Sequence, residues 1–198
     1  AKFKKMYADK VNCPVIVRTP MGGGRGYGPT HSQSIESLFY TILGLRIVAL
    51  NKYTSPRDLL INIAKESKEP TLLIENKALY TQKRCDSQEI EGYVIANTDE
   101  SFPQTIIRPI GQSPKLTFIC YGGIASLLKE VIDTLAQYDV FVEVIIPTSL
   151  KPFNTYQLVK SLEKTGKLLT VEEGNKFGGI LGSISSNLYE QGIEFDLS

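Results

Sequence analysis

The sequence predicts an α/β protein made of two units, each a mainly parallel sheet covered by helices. Two observations predict this class. Short apolar runs typical of buried strands alternate with segments whose apolar residues recur at helical spacing. Polar clusters and prolines interrupt this alternation once, at residues 77–114, so that it falls into two blocks. Because strands that alternate with helices form parallel sheets, each block predicts one sheet with helices packed on it.

The first block has the order strand, helix, strand, helix, strand. Its three apolar runs predict strands at residues 14–18, 46–50 and 71–75. A helix is predicted at residues 32–42, because four apolar residues recur there at i, i+3, i+4 and i+7 and Gly44 follows. A second helix begins at Thr54-Ser55-Pro56, where a capping hydroxyl precedes a proline of the first turn, and runs to about residue 67.

The second block repeats this alternation. Strands are predicted at residues 116–120, 141–147 and 167–173, and helices at residues 124–137, 154–163 and 179–190. The stretch between the blocks has few large apolar residues, so we expect it to be extended or mobile. The expected organisation is a first unit at residues 1–80, a linker at residues 81–112 and a second unit at residues 113–198.

Composition excludes several classes of function. The 198 residues are 42% hydrophobic and 22% charged, as in an ordinary globular protein. The net charge of +1 indicates neither nucleic acid nor a membrane surface as a partner, and no apolar run approaches the ~20 residues that span a bilayer. Cys13, Cys85 and Cys120 are odd in number and widely spaced, which argues against a disulfide framework or a zinc site and fits a reducing compartment.

A glycine-dense loop is the clearest candidate for a functional element. Five glycines lie between residues 22 and 28, directly after the first predicted strand. No register of the loop gives G-x-G-x-x-G, and no P-loop lysine follows, so it is neither a dinucleotide nor a P-loop fingerprint. A tight turn that needs positive φ explains the glycines equally well.

The only histidine in the chain, His31, follows this loop. An imidazole between a loop and a predicted helix, beside Ser32 and Gln33, suits proton transfer or anion binding at neutral pH. A lone histidine is more often a surface or core side chain, and Ser32 has the alternative role of a helix cap. No nucleophile elbow and no nearby cysteine completes a triad with His31.

Carboxylates also end two of the predicted strands. Glu75 ends the third strand, and Glu172 and Glu173 end the strand before Gly174. Open parallel sheets place ligand-contacting groups at the carboxyl ends of their strands. On spacing alone, solvated strand ends explain these residues slightly better.

Several segments together resemble one known family. They are the strand at residues 14–18, the glycine loop, THSQS at 30–34, PTLLIENKALY at 70–80, TVEEG at 170–174 and FGG at 177–179. The chain is similar to the β subunit of the thiamine-diphosphate-dependent decarboxylating component of 2-oxo acid dehydrogenase complexes. Pyruvate, branched-chain and acetoin dehydrogenases belong to this family, and transketolases are more distant relatives. The resemblance covers nearly the whole chain and is weakest over residues 81–114.

The resemblance implies a fold and a site. The first unit would be a partial thiamine pyrimidine-binding domain and the second a transketolase C-terminal-like domain. His31 matches the catalytic histidine that assists substrate binding and proton transfer, with Gly24, Ser32 and Gln33 in the substrate and active-site loop. The complete enzyme would use thiamine diphosphate and Mg²⁺. Because the family's activating glutamate lies upstream of these residues and another domain holds the diphosphate, the resemblance implies a piece that lacks the N-terminal part, binds no cofactor alone and is inactive alone.

The implied activity is oxidative decarboxylation of a 2-oxo acid with acyl transfer to a lipoyl group. The implied partners are an α subunit or α half with the diphosphate-binding domain, a second β copy and the lipoyl acyltransferase core. The expected location is the cytoplasm of a bacterium, or the mitochondrial matrix or plastid of a eukaryote. Two alternatives remain open: a transketolase-like carbon–carbon transferase, and a non-catalytic module for subunit binding or assembly.

Overall fold

The computed structural model describes residues 1–24, 26–85 and 89–197, and it confirms the α/β class. The strands are β1 (Ile16–Met21), β2 (Arg46–Ala49), β3 (Thr71–Asn76), β4 (Tyr93–Asn97), β5 (Gln104–Pro109), β6 (Leu116–Cys120), β7 (Val142–Pro147), β8 (Ser149–Lys151), β9 (Lys167–Val171) and β10 (Asp196–Leu197). The helices are α1 (Phe3–Met6), α2 (Glu36–Tyr40), α3 (Pro56–Glu66), α4 (Leu128–Ala136), α5 (Tyr156–Thr165) and α6 (Ile180–Glu190), with 3₁₀ turns at Lys77–Thr81 and Gly122–Leu127.

The first sheet has four strands in the order β1-β3-β2-β8. β1, β3 and β2 are parallel, as the sequence predicts, and β8 lies antiparallel to β2. β8 comes from the second block and has only three residues, too few to show a period in the sequence. Lys151 in β8 donates hydrogen bonds to the carbonyls of Tyr40 and Ile42 at 2.5 and 2.7 Å. A strand from the second block thus satisfies the carbonyls at the end of α2.

Helix α2 is shorter than the predicted helix at 32–42. It spans only Glu36–Tyr40, and the residues before it are not helical. The Gln33 carbonyl accepts a hydrogen bond from the Gly22 amide at 3.0 Å, which holds this part of the chain against the glycine loop instead. His31 therefore lies in a loop, five residues before the first residue of the helix. Helix α3 agrees with its predicted start, since Ser55 Oγ accepts a hydrogen bond from the Asp58 amide at 3.3 Å.

The second sheet has six strands in the order β10-β9-β6-β7-β5-β4. β9, β6 and β7 are parallel, and β5 and β4 continue the sheet in antiparallel pairing. These last two strands lie inside the predicted linker at 81–112. Their residues are extended, as expected, but they belong to the second sheet and not to a linker. Residues 86–88 of that range lie outside the described residues. Antiparallel pairing with β7 buries Gln104–Ile107, and no isolated apolar run in the sequence reveals this.

One apolar core joins the two sheets. Met21, Ile47 and Ile74 of the first sheet belong to the same buried cluster as Ile119 and Ile145 of the second. A second cluster packs α4 against β6 and β7, and a small one packs α3 against β2 and β3. Because the sheets share a core, the loops at the carboxyl ends of β1, β3 and β9 are held close together. None of the described helices has the length and hydropathy of a membrane span.

Candidate functional site

Backbone hydrogen bonds and a carboxylate from the second sheet hold the glycine loop. Gly22 is buried and has a φ of 101°, a conformation that L side chains rarely adopt. The Gly23 amide donates a hydrogen bond to Glu173 Oε1, and Asn76 Nδ2 donates one to Glu173 Oε2 at 2.6 Å. Glu173 thus binds the ends of β1 and β3 to the end of β9.

The Asn76 side chain lies between two glycine backbones. A Cβ atom added at Gly22 or at Gly123 would collide with it. Its Oδ1 also accepts a hydrogen bond from the Ala78 amide at 2.9 Å. The two glycines therefore allow Asn76 to reach Glu173 and connect the two sheets.

His31 is exposed at the far end of the loop. Its carbonyl accepts a hydrogen bond from Lys77 Nζ, and Lys77 also lies 5.0 Å from the centre of the Tyr27 ring. The His31 imidazole forms no hydrogen bond with the described residues. The backbone at His31 is therefore tied to the end of β3, while the ring is open to a ligand or a partner.

A polar cleft of about 400 Å³ begins beside His31. Ser32, Gln33 and Ser37 line one wall, and Glu173 and Asn175 line the other. The cleft therefore lies between the loop of the first sheet and the carboxyl end of β9. Hydroxyl, amide and carboxylate groups on its walls suit a small polar or charged group.

Next to this cleft, the buried side chains of Glu36 and Tyr121 form a group with the partly buried Glu172. Tyr121 Oη is 2.6 Å from Glu36 Oε1 and 2.8 Å from Glu172 Oε2. Glu36 is only 1% exposed, and its Oε2 has no hydrogen-bond partner. Burial raises the pKa of Glu36, and the charges of Glu172 and Glu173 add to this effect, against the hydrogen bond from Tyr121. Burial also raises the pKa of Tyr121, so its hydroxyl keeps its proton.

Glu75 belongs to a different cluster. It is 2% exposed and forms two hydrogen bonds with Arg18, at 2.5 and 3.1 Å, and one with the Tyr80 hydroxyl at 2.6 Å. Burial opposes ionisation, but the hydrogen bonds from Arg18 and Tyr80 outweigh it and lower the pKa of Glu75. Glu75, Arg18 and Tyr80 line a separate, mainly apolar cleft of about 290 Å³. Glu75 is thus a satisfied buried anion and not a solvated strand end.

The described residues do not by themselves fit a diphosphate with Mg²⁺. No three His, Cys, Asp or Glu side chains among them gather to hold a metal ion. The carboxylates nearest the loop already have donors: Glu173 has Gly23 and Asn76, and Glu172 accepts from the amides of Ile180 and Leu181 at 3.0 and 3.2 Å. Such a group would have to be held by residues other than these.

Among the predicted site residues, the structure brings Ser32 and Gln33 into one cleft and leaves His31 exposed at its side. Gly24 is exposed, and a Cβ added there would meet nothing within 4 Å. Sequence reasoning missed Glu36, and it used Tyr121 only as part of the resemblance at Tyr121-Gly122 and not as a residue of the site. The consecutive Glu172 and Glu173 at a strand end were the visible signal for the other wall of the site.

Comparisons with known proteins agree with this architecture. Residues 107–197 match the family described as transketolase, C-terminal domain. A solved structure described as a split gene transketolase, inactive beta4 tetramer, superposes with a TM-score of 0.67 at 16% identity, covering 94% of this chain and 56% of that one. At this identity the likeness shows the fold.

The similar sequences are dehydrogenase subunits. The chain is 34% identical over 177 residues to the chloroplastic pyruvate dehydrogenase E1 component subunit beta-3 of Arabidopsis thaliana, covering 89% of this chain and 41% of that protein. It is 24% identical over 195 residues to the pyruvate dehydrogenase E1 component subunit beta of Rickettsia conorii, covering 98% of this chain and 57% of that protein. The chain thus spans about half the length of these relatives. Residues 107–197 thus match the family of transketolase C-terminal domains, and the chain as a whole is similar to pyruvate dehydrogenase E1 β subunits.

Proposed function

We propose that this chain is part of a thiamine-diphosphate-dependent 2-oxo acid dehydrogenase, in which it forms part of the β subunit of the decarboxylating component. The observation that carries the proposal is the 34% identity to a pyruvate dehydrogenase E1 β subunit over 89% of the chain. The position of the His31 loop, where the carboxyl ends of the two sheets meet, supports it, because ligands of open α/β sheets bind at such ends.

His31 is the catalytic residue in this proposal. Its imidazole is exposed and free to contact a substrate as an acid or base, and its backbone carbonyl accepts a hydrogen bond from Lys77. Ser32 and Gln33 would orient a substrate from the wall of the polar cleft. Residues 1–80 would be the later part of the pyrimidine-binding domain, and the second unit would be the transketolase C-terminal-like domain.

The remaining parts of the enzyme would come from outside the described residues. Thiamine diphosphate supplies the carbanion chemistry of decarboxylation, and an α subunit or α half would hold its diphosphate and Mg²⁺. A second β copy and a lipoyl acyltransferase core would complete the complex. Relatives are described as chloroplastic or mitochondrial, or come from bacteria, so the compartment would follow the organism.

Replacement of His31 tests this proposal. In the complete enzyme assembled with its α subunit, we expect His31→Ala to lower the rate of 2-oxo acid decarboxylation by about 10²–10⁴-fold, because a positioned acid–base group is lost. Lys160→Gln, an exposed cation away from the loop, is the control. Unchanged turnover in a well-folded His31→Ala enzyme would remove His31 from the mechanism.

A second candidate is a transketolase-like carbon–carbon transferase. The match of residues 107–197 to the family described as transketolase, C-terminal domain, supports it. The two candidate functions differ in the molecule that accepts the group released from the substrate. Reduction of a lipoylated protein would support the dehydrogenase, whereas transfer of a two-carbon unit to a sugar would support the transferase.

A further inference from the structure

The group formed by Glu36, Tyr121 and Glu172 has more acceptors than protons. Tyr121 has one hydroxyl proton, yet its oxygen lies within hydrogen-bond distance of two carboxyl groups. It can donate to only one of them. The other contact is favourable only if that carboxyl group carries a proton and donates to the tyrosine oxygen.

The surroundings decide which carboxyl group holds the extra proton. Glu172 accepts hydrogen bonds from the amides of Ile180 and Leu181 at the start of α6, where the helix dipole also favours an anion. In the part of the chain that the structure describes, the only amide that helps to stabilise a charged Glu36 is its own backbone N–H. The Glu36 side chain is 1% exposed, and its Oε2 has no hydrogen-bond partner among the described residues. An unpartnered carbonyl oxygen of a neutral acid costs much less than an unpartnered oxygen of a buried carboxylate. The proton therefore belongs on Glu36.

The charged side chains that act on Glu36, those of Glu172 and Glu173, are both acidic, and the other described polar neighbours of Glu36 are uncharged. From α2 comes Glu36, from the end of β6 comes Tyr121, and from the end of β9 come Glu172 and Glu173. The end of β3 contributes the neutral Asn76, bonded to Glu173. Within the described part of the chain, no cationic side chain forms an ion pair with these three glutamates. A charged Glu36 would therefore face two carboxylates without a counterion.

We propose that Glu36, Tyr121 and Glu172 form a pH-sensitive latch, in which the protonated Glu36 donates to Tyr121 and Tyr121 donates to Glu172. The latch joins α2 of the first sheet to the start of α6 on the second. Because α2 follows directly on Ser32, Gln33 and Ser34, the latch also holds the loop with His31 against the second sheet. Loss of the Glu36 proton releases this contact.

Infrared spectroscopy tests the protonation directly. At pH 7 we expect the chain to show the carbonyl band of one protonated carboxylic acid, shifted by ¹³C-glutamate labelling. The band should be lost in Glu36→Gln and kept in Glu163→Gln, which removes an exposed carboxylate. Absence of the band from the parent chain at pH 7, or its survival in Glu36→Gln, would overturn the proposal. If Glu36→Gln does not fold, titration of the band in the parent chain decides, since a surface acid would already be ionised at pH 7.

Hydrogen exchange tests the release. After correction for intrinsic rates, protection of the amides of Ile180 and Leu181 and of helix α2 should fall as the pH rises and the infrared band disappears. In Glu36→Gln, whose amide can donate to Tyr121 without a charge, protection should stay constant over the same range. Equal pH dependence in the two proteins would show that Glu36 does not operate a latch.

Discussion

The pKa values of two buried carboxyl groups in this molecule are shifted in opposite directions because their partners differ. Glu143 is 1% exposed and accepts hydrogen bonds from Arg108, from Ser161 at 2.8 Å and from Lys164 at 3.1 Å. Burial opposes its ionisation, but these hydrogen bonds outweigh burial and lower the pKa of Glu143. Glu36 is equally buried but forms no ion pair with the described residues, so burial prevails and its pKa is raised. The presence or absence of cationic donors thus decides the direction of the pKa shift of these two buried acids.

Glu143 provides a prediction at this scale. We expect Glu143→Gln to lower the free energy of unfolding by about 1–3 kcal/mol, because charge-assisted hydrogen bonds to Arg108 and Lys164 are lost while the shape is kept. Denaturation with urea measures the change. Glu163→Gln, on the exposed side of α5, should change the same quantity by less than about 0.5 kcal/mol. Equal effects of the two substitutions would contradict a special role for Glu143.

Among the secondary-structure elements, β5 differs most from the prediction made from the sequence. It lies inside the predicted linker, yet it pairs with β7 on one side and β4 on the other. Ile107 in β5 is 0% exposed and packs with Phe118 of β6 and Val144 of β7 in one buried cluster. A strand in this position extends the parallel core by antiparallel pairing and should unfold together with it.

A core substitution tests the place of β5. Ile107→Ala should lower the free energy of unfolding by about 2–5 kcal/mol, because it leaves a cavity beside β6 and β7. The matched control is Ile110→Ala just after the strand, where the side chain is 60% exposed and a change below about 0.5 kcal/mol is expected. If the two variants were equally stable, β5 would not belong to the cooperative core.

The whole molecule carries two opposing sets of titrating groups. The pKa values of Glu75, Glu89 and Glu143 are lowered in the folded state, where hydrogen bonds outweigh burial. The pKa of Glu36 is raised by burial. At acid pH, Glu75, Glu89 and Glu143 bind fewer protons in the folded chain than in the unfolded chain. At higher pH, Glu36 binds more protons in the folded chain than in the unfolded chain. Stability should therefore pass through a maximum.

Thermal unfolding as a function of pH measures this maximum. Below the ordinary glutamate value of about 4.5 the melting temperature should fall, because Glu75, Glu89 and Glu143 lose stabilisation as the pH drops through their lowered values. Above pH 4.5, the stabilisation from Glu36 should be lost as the pH rises through the raised pKa of Glu36. In Glu36→Gln the fall on the alkaline side should be weaker and the fall on the acid side unchanged. A profile that Glu36→Gln leaves unaltered would refute the assignment.

Much of the fold follows from the sequence alone. The parallel strands β2, β3, β6 and β7 appear as apolar runs because both of their faces are buried, whereas β1 and β9 are only partly buried. The start of α3 is visible because Ser55 and Pro56 are local signals. The resemblance to dehydrogenase β subunits likewise depends on contiguous motifs such as THSQS and IENKALY.

Other features depend on tertiary contacts that no local pattern encodes. β8 is three residues long and exists because β2 offers it an edge, and β5 is fixed by its pairing with β7. The short α2 results from the bond between Gly22 and Gln33, two residues in different segments. Tyr121 lies 85 positions from Glu36 and 51 positions from Glu172 in the chain. Only the packing of one sheet against the other brings these three side chains together and buries Glu36 and Tyr121, and this burial raises the pKa of Glu36.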